Sequence, residues 1–321
     1  MTEAMSVLVT GASGFVGGAL CRYLAGRGGF RVVPVQRSAS AGVLGVPVVV
    51  GDIDGRTHWG DALAGVDVVV HCAARVHVMK DAEADPLAAF RRTNVEGTLH
   101  LAREAFEAGV RRFVFVSSIK VNGEVTAPGA CLDERAGCHP EDAYGRSKLE
   151  AEEGLWRLAR ETGLEVVVVR PPLVYGPGVK GNFRSLLVLA DTMVPLPFGA
   201  IHNRRSMVYL DNLVSALALA AIHPQAAGEL FLVSDGEDVS TSELVRLIRR
   251  AMRRPERLLP VPVAWLTGGA RLLGRSDVME RLVGSLVVNS GKIRQRLGWQ
   301  PPVTMGEGIM RTVHHFRGDR G

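Results

Sequence analysis

The sequence predicts an α/β protein: a doubly wound parallel sheet with helices on both faces and a smaller C-terminal lobe. Three observations predict it. Val7-Leu8-Val9 reads as the end of a buried strand, Thr10 to Gly14 break it, and apolar residues Phe15, Val16, Leu20 and Leu24 then recur at helical spacing up to Gly28-Gly29. Short apolar runs return at 31–35, 46–50, 66–70, 112–116 and 165–169, with helical stretches among them, the pattern of parallel strands joined by crossover helices. Beyond about residue 178 the alternation loosens into helices and short strands near 206–209 and 230–233. The expected division is therefore residues 1–177 for the large domain and 178–321 for the smaller lobe, with some interleaving of segments.

The opening strand–glycine turn–helix points backbone N–H groups and a helix N-terminus at a phosphate. Gly11 permits the tight turn, Gly14 lets the backbone approach a pyrophosphate, and Gly17 lets the helix pack close to the strand. A dinucleotide is the expected ligand. The second strand ends in Val35-Gln36-Arg37-Ser38, without the carboxylate that would hold the 2′-hydroxyl of an adenine ribose. Arg37 is placed to pair with a 2′-phosphate, so NADP(H) is expected in preference to NAD(H).

The third strand ends in Gly51-Asp52-Ile53 and the fourth in His71-Cys72-Ala73-Ala74, whose small residues leave room for a cofactor across the strand ends. His71, closing a buried strand, is expected to be structural. Residues 86–108 look helical, yet Asn94 and Gly97 are unfavourable inside a helix and need a packing or functional reason. Ser117-Ser118 follow the fifth strand, and a turn-rich loop runs from Val121 to Asp142. Tyr144 opens the next helix with Lys148 one turn later, on the same face and about 5–6 Å away at Cβ. Arg170-Pro171-Pro172 begins a rigid exit from the sixth strand.

With 47% hydrophobic and 22% charged residues, the chain has the composition of an ordinary globular protein with a large core. It holds no 18-residue apolar run and enters its first strand at once, so neither a transmembrane helix nor a signal peptide is expected. Cys21, Cys72, Cys131 and Cys138 form no CxxC pattern and are expected to stay reduced in the cytoplasm. No metal site is expected; the adjacent His314 and His315 suit a solvated helix end. The net charge of +5 is concentrated in Arg246, Arg249, Arg250, Arg253, Arg254 and Arg257, read as a solvated helix face, with an anionic membrane surface as the lesser alternative. No aromatic interleaving accompanies them, which argues against nucleic acid.

These motifs together resemble the extended short-chain dehydrogenase/reductases, in their nucleotide-sugar epimerase/dehydratase branch. The resemblance rests on TGASGFVG at 10–17, GDI at 51–53, HCAA at 71–74, NVEGT at 94–98, SSIKVNG at 117–123, YGRSK at 144–148, RPPLVYGP at 170–177 and LGWQPPV at 297–303. It implies a Rossmann domain over residues 1–177 that binds NAD(P), and a nucleotide-sugar-binding lobe over 178–321. Tyr144 would be the acid/base and Ser118 would hydrogen-bond the same substrate oxygen. Lys148 would favour the phenolate, since a free tyrosine has a pKa of ~10 and is about one part in a thousand ionised at pH 7. Cofactor contacts are expected from Gly11, Ser13, Gly14, Phe15, Val16, Gly17, Arg37, Ser38, Asp52, Ile53, Cys72, Ala73, Ala74, Asn94, Tyr144, Lys148 and Pro171, with Asn94 in a supporting role. Asn182 and Arg205 match positions at the UDP and diphosphate sites. Leu173 departs from the family pattern, which has Asn there.

The resemblance implies an oxidoreductase acting at C4 of a UDP-sugar. The missing carboxylate after the second strand favours a 4-ketoreductase of surface polysaccharide biosynthesis, of the type that forms UDP-N-acetylquinovosamine. A 4-epimerase with tightly bound NAD is the alternative, and a non-catalytic scaffold a remote third. A homodimer through helices 86–108 and 144–161 is the family's usual assembly.

Overall fold

The computed structural model describes residues 4–39, 45–76, 85–272, 274 and 276–318. Seven parallel strands form the main sheet: β1 (Met5–Thr10), β2 (Phe30–Gln36), β3 (Val48–Val49), β4 (Val68–His71), β5 (Arg112–Val116), β6 (Glu165–Arg170) and, from the second half of the chain, β9 (Leu230–Leu232). Their order is β3-β2-β1-β4-β5-β6-β9, so the sheet winds outward in both directions from β1 and β4. The strands read as continuous apolar runs because both faces are covered. Alternate residues go to opposite sides: Val7 and Val9 face α1 (Phe15–Ala25) and α7 (Leu210–Ile222), with Leu20, Leu24, Leu213 and Leu217. Leu8, Val69, Phe113 and Phe115 pack on the other side against Leu101, Ala105, Leu155 and Leu158, carried by α4 (Gly97–Glu107) and α5 (Ala143–Thr162).

The third strand is shorter than the sequence predicts. β3 pairs only with β2 and lies at the sheet edge, where Val46 is 92% exposed and has no neighbouring strand to hold it. The short α2 (Gly60–Leu63) follows it. The segment 86–108 is also not one α-helix: α3 (Pro86–Arg91) leads into a π-helical turn at Arg92–Glu96 before α4 begins at Gly97. The two residues unfavourable to a helix explain the break. A Cβ on Gly97 would lie 2.7 Å from Ile53 Cγ2, and Asn94, inside the wide turn, is fully engaged in hydrogen bonds. Such turns are often found at functional sites.

A second, three-stranded sheet, in order β10-β8-β7, is built from β7 (Leu173–Tyr175), β8 (Arg205–Tyr209) and β10 (Asp238–Val239). Around it lie α6 (Gly181–Ala190), α8 (Thr241–Ala251) and α12 (Met305–Gly318), sharing a core with Tyr175, Phe183, Met207, Tyr209, Ile248 and Val313. Helices α9 (Val263–Leu272), α10 (Ser276–Val283) and α11 (Gly291–Leu297) complete the described chain. Both α7 and β9 return to the main sheet although they follow residue 178. His314 and His315 are exposed on α12.

One expectation for the arginine cluster is corrected. Arg249 is not solvated but 1% exposed, because its guanidinium satisfies carbonyls that α8 and the adjoining loops would otherwise leave open: Pro255 at 3.1 Å, Arg257 at 2.9 Å, Thr192 at 3.3 Å and Val194 at 2.6 Å. Among the described residues, no helix is long and apolar enough to cross a membrane.

Candidate active site

The glycine turn is built as its spacing requires. Gly11 has φ +67° and lies so close to β4 that a Cβ would sit 3.0 Å from the Ala73 nitrogen. A Cβ on Gly17 would fall 2.3 Å from the Gly11 carbonyl oxygen, so helix and turn touch backbone to backbone. Gly14 is the N-cap of α1 and provides no side-chain capping bond, and no acidic residue occupies the first turn. Ser13 and Gly14 are exposed while Phe15 and Val16 pack partly into the core. An open helix N-terminus in a cradle that any Cβ would fill fits a pyrophosphate.

The neighbouring strand ends extend this surface. Thr10 Oγ1 accepts from the Cys72 and Ala73 nitrogens, each at 3.1 Å, and fixes the Cys72-Ala73-Ala74 segment beside Gly11. Burial pushes the Cys72 thiol up to about 12, so it serves as a neutral wall. His71 is 1% exposed, with Nδ1 2.8 Å from Thr10 Oγ1 and Nε2 3.0 Å from Thr98 Oγ1. Thr98 donates its own proton to the Asn94 carbonyl, so His71 carries its proton on Nε2 and accepts from Thr10 on Nδ1. Burial, reinforced by the Lys148 charge, lowers His71 to about 3. It is a structural histidine, as the sequence predicts. Arg37 and Ser38 are exposed after β2, and the Arg37 guanidinium lies 3.7 Å from the Asp52 carboxylate.

Ser118, Tyr144 and Lys148 come together at the C-terminal ends of β5 and β6. The Lys148 ammonium, 2% exposed, donates to the Val116 carbonyl at 2.9 Å and stands 5.9 Å from the centre of the Tyr144 ring. Burial lowers Lys148 to about 8, against the attraction of the Glu152 carboxylate. The Tyr144 ring meets Phe90 edge-on at 6.2 Å. Burial pushes its phenol above the ordinary tyrosine range, and the Asp142 carboxylate adds to that.

Local hydrogen bonds explain how sequence places these groups. Asp142 caps α5 by accepting from the Gly145 nitrogen at 2.7 Å, and its other oxygen accepts from Lys120 Nζ at 2.7 Å. The Lys120 nitrogen donates to Ser118 Oγ at 3.2 Å, so one short turn joins the serine to the start of the tyrosine helix. Pro171 is beside them, its carbonyl accepting from the Ile119 nitrogen at 3.0 Å. Asn94 is 1% exposed: its amide bonds both backbone groups of Arg75 and the Ser147 hydroxyl, tying the π-helical turn to α5 rather than opening into the cleft. Asp52 is exposed, and Ile53 packs at Gly97. In the second sheet's lobe, Asn182 is exposed in the first turn of α6, and Arg205 at the start of β8 donates to the Arg281 and Gly284 carbonyls at 3.0 Å.

A buried polar chain that was not expected from the sequence lies directly behind the site. Ser117 Oγ donates to Glu152, and Glu152 receives a two-pronged pair from Arg170. Arg170 also donates to Asn122 Oδ1 at 2.9 Å, and Asn122 in turn holds the Ala136 and Gly137 carbonyls, each at 3.2 Å. The signal was present: Glu152 follows Lys148 by four residues and so shares its inward face. This chain turns Ser117 away from the cleft and leaves Ser118, half-buried, as the serine on the open side.

A family model described as the NAD dependent epimerase/dehydratase family matches residues 7–234. The chain belongs to this family. Over 312 residues it is 46% identical to the UDP-glucose 4-epimerase of Vibrio cholerae, covering 97% of this chain and 95% of that one. Two solved structures share the fold of this epimerase/dehydratase chain. UDP-glucuronic acid 4-epimerase from Bacillus cereus, in complex with NAD, has a TM-score of 0.78 at 20% identity, covering 99% of this chain and 100% of that one. UDP-glucose 4-epimerase from Thermotoga maritima, with UDP-glucose, has a TM-score of 0.76 at 24% identity, with the same coverages of 99% and 100%. As a family member this chain is an NAD(P)-dependent enzyme of the extended short-chain dehydrogenase/reductase type.

Proposed function

We propose that this enzyme is a UDP-sugar 4-epimerase that keeps NAD bound through the reaction. The 46% identity to the Vibrio cholerae epimerase, spread over 97% of the chain, carries the reading and reverses the order favoured by the sequence analysis, which put a 4-ketoreductase first. The glycine cradle would hold the pyrophosphate, Asp52 and Arg37 would flank the adenosine end, and Lys148 would bind the nicotinamide ribose. A nicotinamide held there would supply reversible hydride transfer at C4 of the sugar.

Tyr144 takes the proton of the C4 hydroxyl and later returns it, while Ser118 Oγ holds the same oxygen. The Lys148 ammonium, 5.9 Å from the centre of the Tyr144 ring, favours the phenolate and opposes the cost of burying it. Leu173, 41% exposed at the start of β7, offers the sugar no hydrogen bond. A ketosugar held by few polar anchors is free to turn and present its other face. Arg205 and Asn182 hold the diphosphate and the uridine.

Two measurements test this. Mass spectrometry of the denatured purified protein is expected to release NAD, and UDP-glucose is expected to yield UDP-galactose without added cofactor. A second reading, a 4-ketoreductase with dissociable NADPH, is favoured by Arg37 and by the lack of a carboxylate at 36–38. Protein free of NAD that oxidises NADPH with a UDP-4-ketosugar would establish that reading instead. Either activity would supply cytoplasmic precursors of surface polysaccharide. We also place a homodimer interface on α3, α4 and α5; sedimentation showing only monomer at micromolar concentration would refute it.

A further inference from the structure

We propose that the face formed by the C-terminal end of α8 and by α9 docks on an anionic phospholipid surface. Within residues 246–257 there are six arginines and one acidic residue, Glu256. The buried Arg249 gathers the carbonyls of Thr192, Val194, Pro255 and Arg257, so the 192–194 loop and the arginine-rich turn form one continuous surface. Leu259 joins it through its nitrogen, which donates to the Leu196 carbonyl at 2.8 Å.

Apolar side chains project from that surface. Met193 is 61%, Val194 64% and Leu259 50% exposed, and the Arg254 guanidinium lies 3.3 Å from Met193 Sδ. On α9, Trp265 (75% exposed) and Leu272 (91%) stand two turns apart on one face. Between them are Gly268 and Gly269, where an added Cβ would meet nothing within 4 Å. Single exposed apolar residues are ordinary, but three beside one basic turn, with Trp265 and Leu272 on the helix that follows it, are not. Arg250 is paired with Glu256 and Arg254 with Asp191, whereas Arg253 and Arg257 are exposed and have no ion-pair partner among the described residues.

A bilayer surface satisfies both halves of this chemistry. Lipid phosphates accept the guanidinium forks, and the headgroup–acyl boundary accepts a tryptophan and leucines. A nucleic acid would satisfy the arginines but leave Leu272 and Val194 in water, and an apolar protein groove would leave the arginines unmatched.

The test uses the full chain as purified. It is expected to sediment with vesicles of phosphatidylcholine and phosphatidylglycerol in equal parts, not with phosphatidylcholine alone, and to be released by salt. Trp265 emission is expected to shift to the blue on binding, and the shift to vanish in Trp265→Phe. Arg253→Gln with Arg257→Gln is expected to weaken vesicle binding on the order of 30-fold, about fivefold for each charge, with turnover of soluble substrate unchanged. Failure of the wild type to sediment with the mixed vesicles would overturn the proposal. So would unchanged binding by the double variant, or retention on duplex DNA in place of vesicles with no change at Trp265. A self-associated species that dissociates in Trp265→Ser and does not bind vesicles would assign the face to a second copy of the chain instead.

Discussion

Glu152→Gln tests how much the buried pair behind the serine holds together. The Glu152 and Arg170 side chains are 2% and 5% exposed, and their bond links α5 to β6 directly and the 121–142 loop through Asn122. The substitution keeps the shape but leaves the guanidinium buried without its counter-charge, which costs about 3–5 kcal/mol. At ~2.1 cal/mol/K of unfolding entropy per residue, the 321-residue chain loses about 0.7 kcal/mol of stability per degree near its midpoint, so a fall of about 4–8 °C is expected. Arg170→Met should cost a similar amount by stranding the carboxylate. The double variant Glu152→Gln/Arg170→Met should cost clearly less than the sum, because neither charge then remains unpaired; what is left is about 1–3 kcal/mol each for Ser117 and Asn122. Urea and thermal unfolding of the four proteins give the coupling as a double-mutant cycle. Single variants within about 0.5 kcal/mol of wild type, or costs that simply add in the double variant, would refute the reasoning.

Tyr144→Phe is expected to lower kcat by on the order of 100- to 10,000-fold while leaving cofactor affinity nearly intact, and activity within a few-fold of wild type would remove Tyr144 as the acid/base. Lys148→Met should weaken both turnover and cofactor binding, read by coupled assay and fluorescence titration. His71, at about 3 when folded and ~6.5 when unfolded, binds fewer protons in the native state between those values, so its share of stability is lost as pH falls below 6.5. His71→Gln does not titrate, so its stability gap from wild type should narrow by about 2 kcal/mol from pH 7 to pH 5; a constant gap would count against a buried neutral histidine. Arg37→Asp is expected to weaken NADPH roughly ten- to a hundredfold and NADH little, and equal losses for both would mean that Arg37 serves only Asp52.

Local pattern carried much of this molecule. The glycine spacing at 11, 14 and 17 specifies a backbone shape by what it excludes, and the i, i+4 placement of Tyr144 and Lys148 follows from helical pitch alone. The discord of Asn94 and Gly97 with a helix showed that something nearby must offset them, but the sequence still read 86–108 as one helix, and only the fold shows the π-helical turn at Arg92–Glu96. Tertiary structure decided what depends on partners distant in sequence. Whether Arg249 faced water or carbonyls depended on the turn just after its helix together with a loop more than 50 residues away, and solvated and buried arginines look alike in a helical pattern. Ser117 and Ser118 are adjacent and chemically identical; only the meeting of β5, α5 and β6 at Glu152 and Arg170 turns one inward and leaves the other at the cleft. Strand length at the edge was likewise undecided, since β3 pairs on one side only and its apolar run starts at Val46, before the first residue, Val48, that pairs with β2. Periodicity reports which face of an element is buried, and the contacts that close over that face belong to the whole chain.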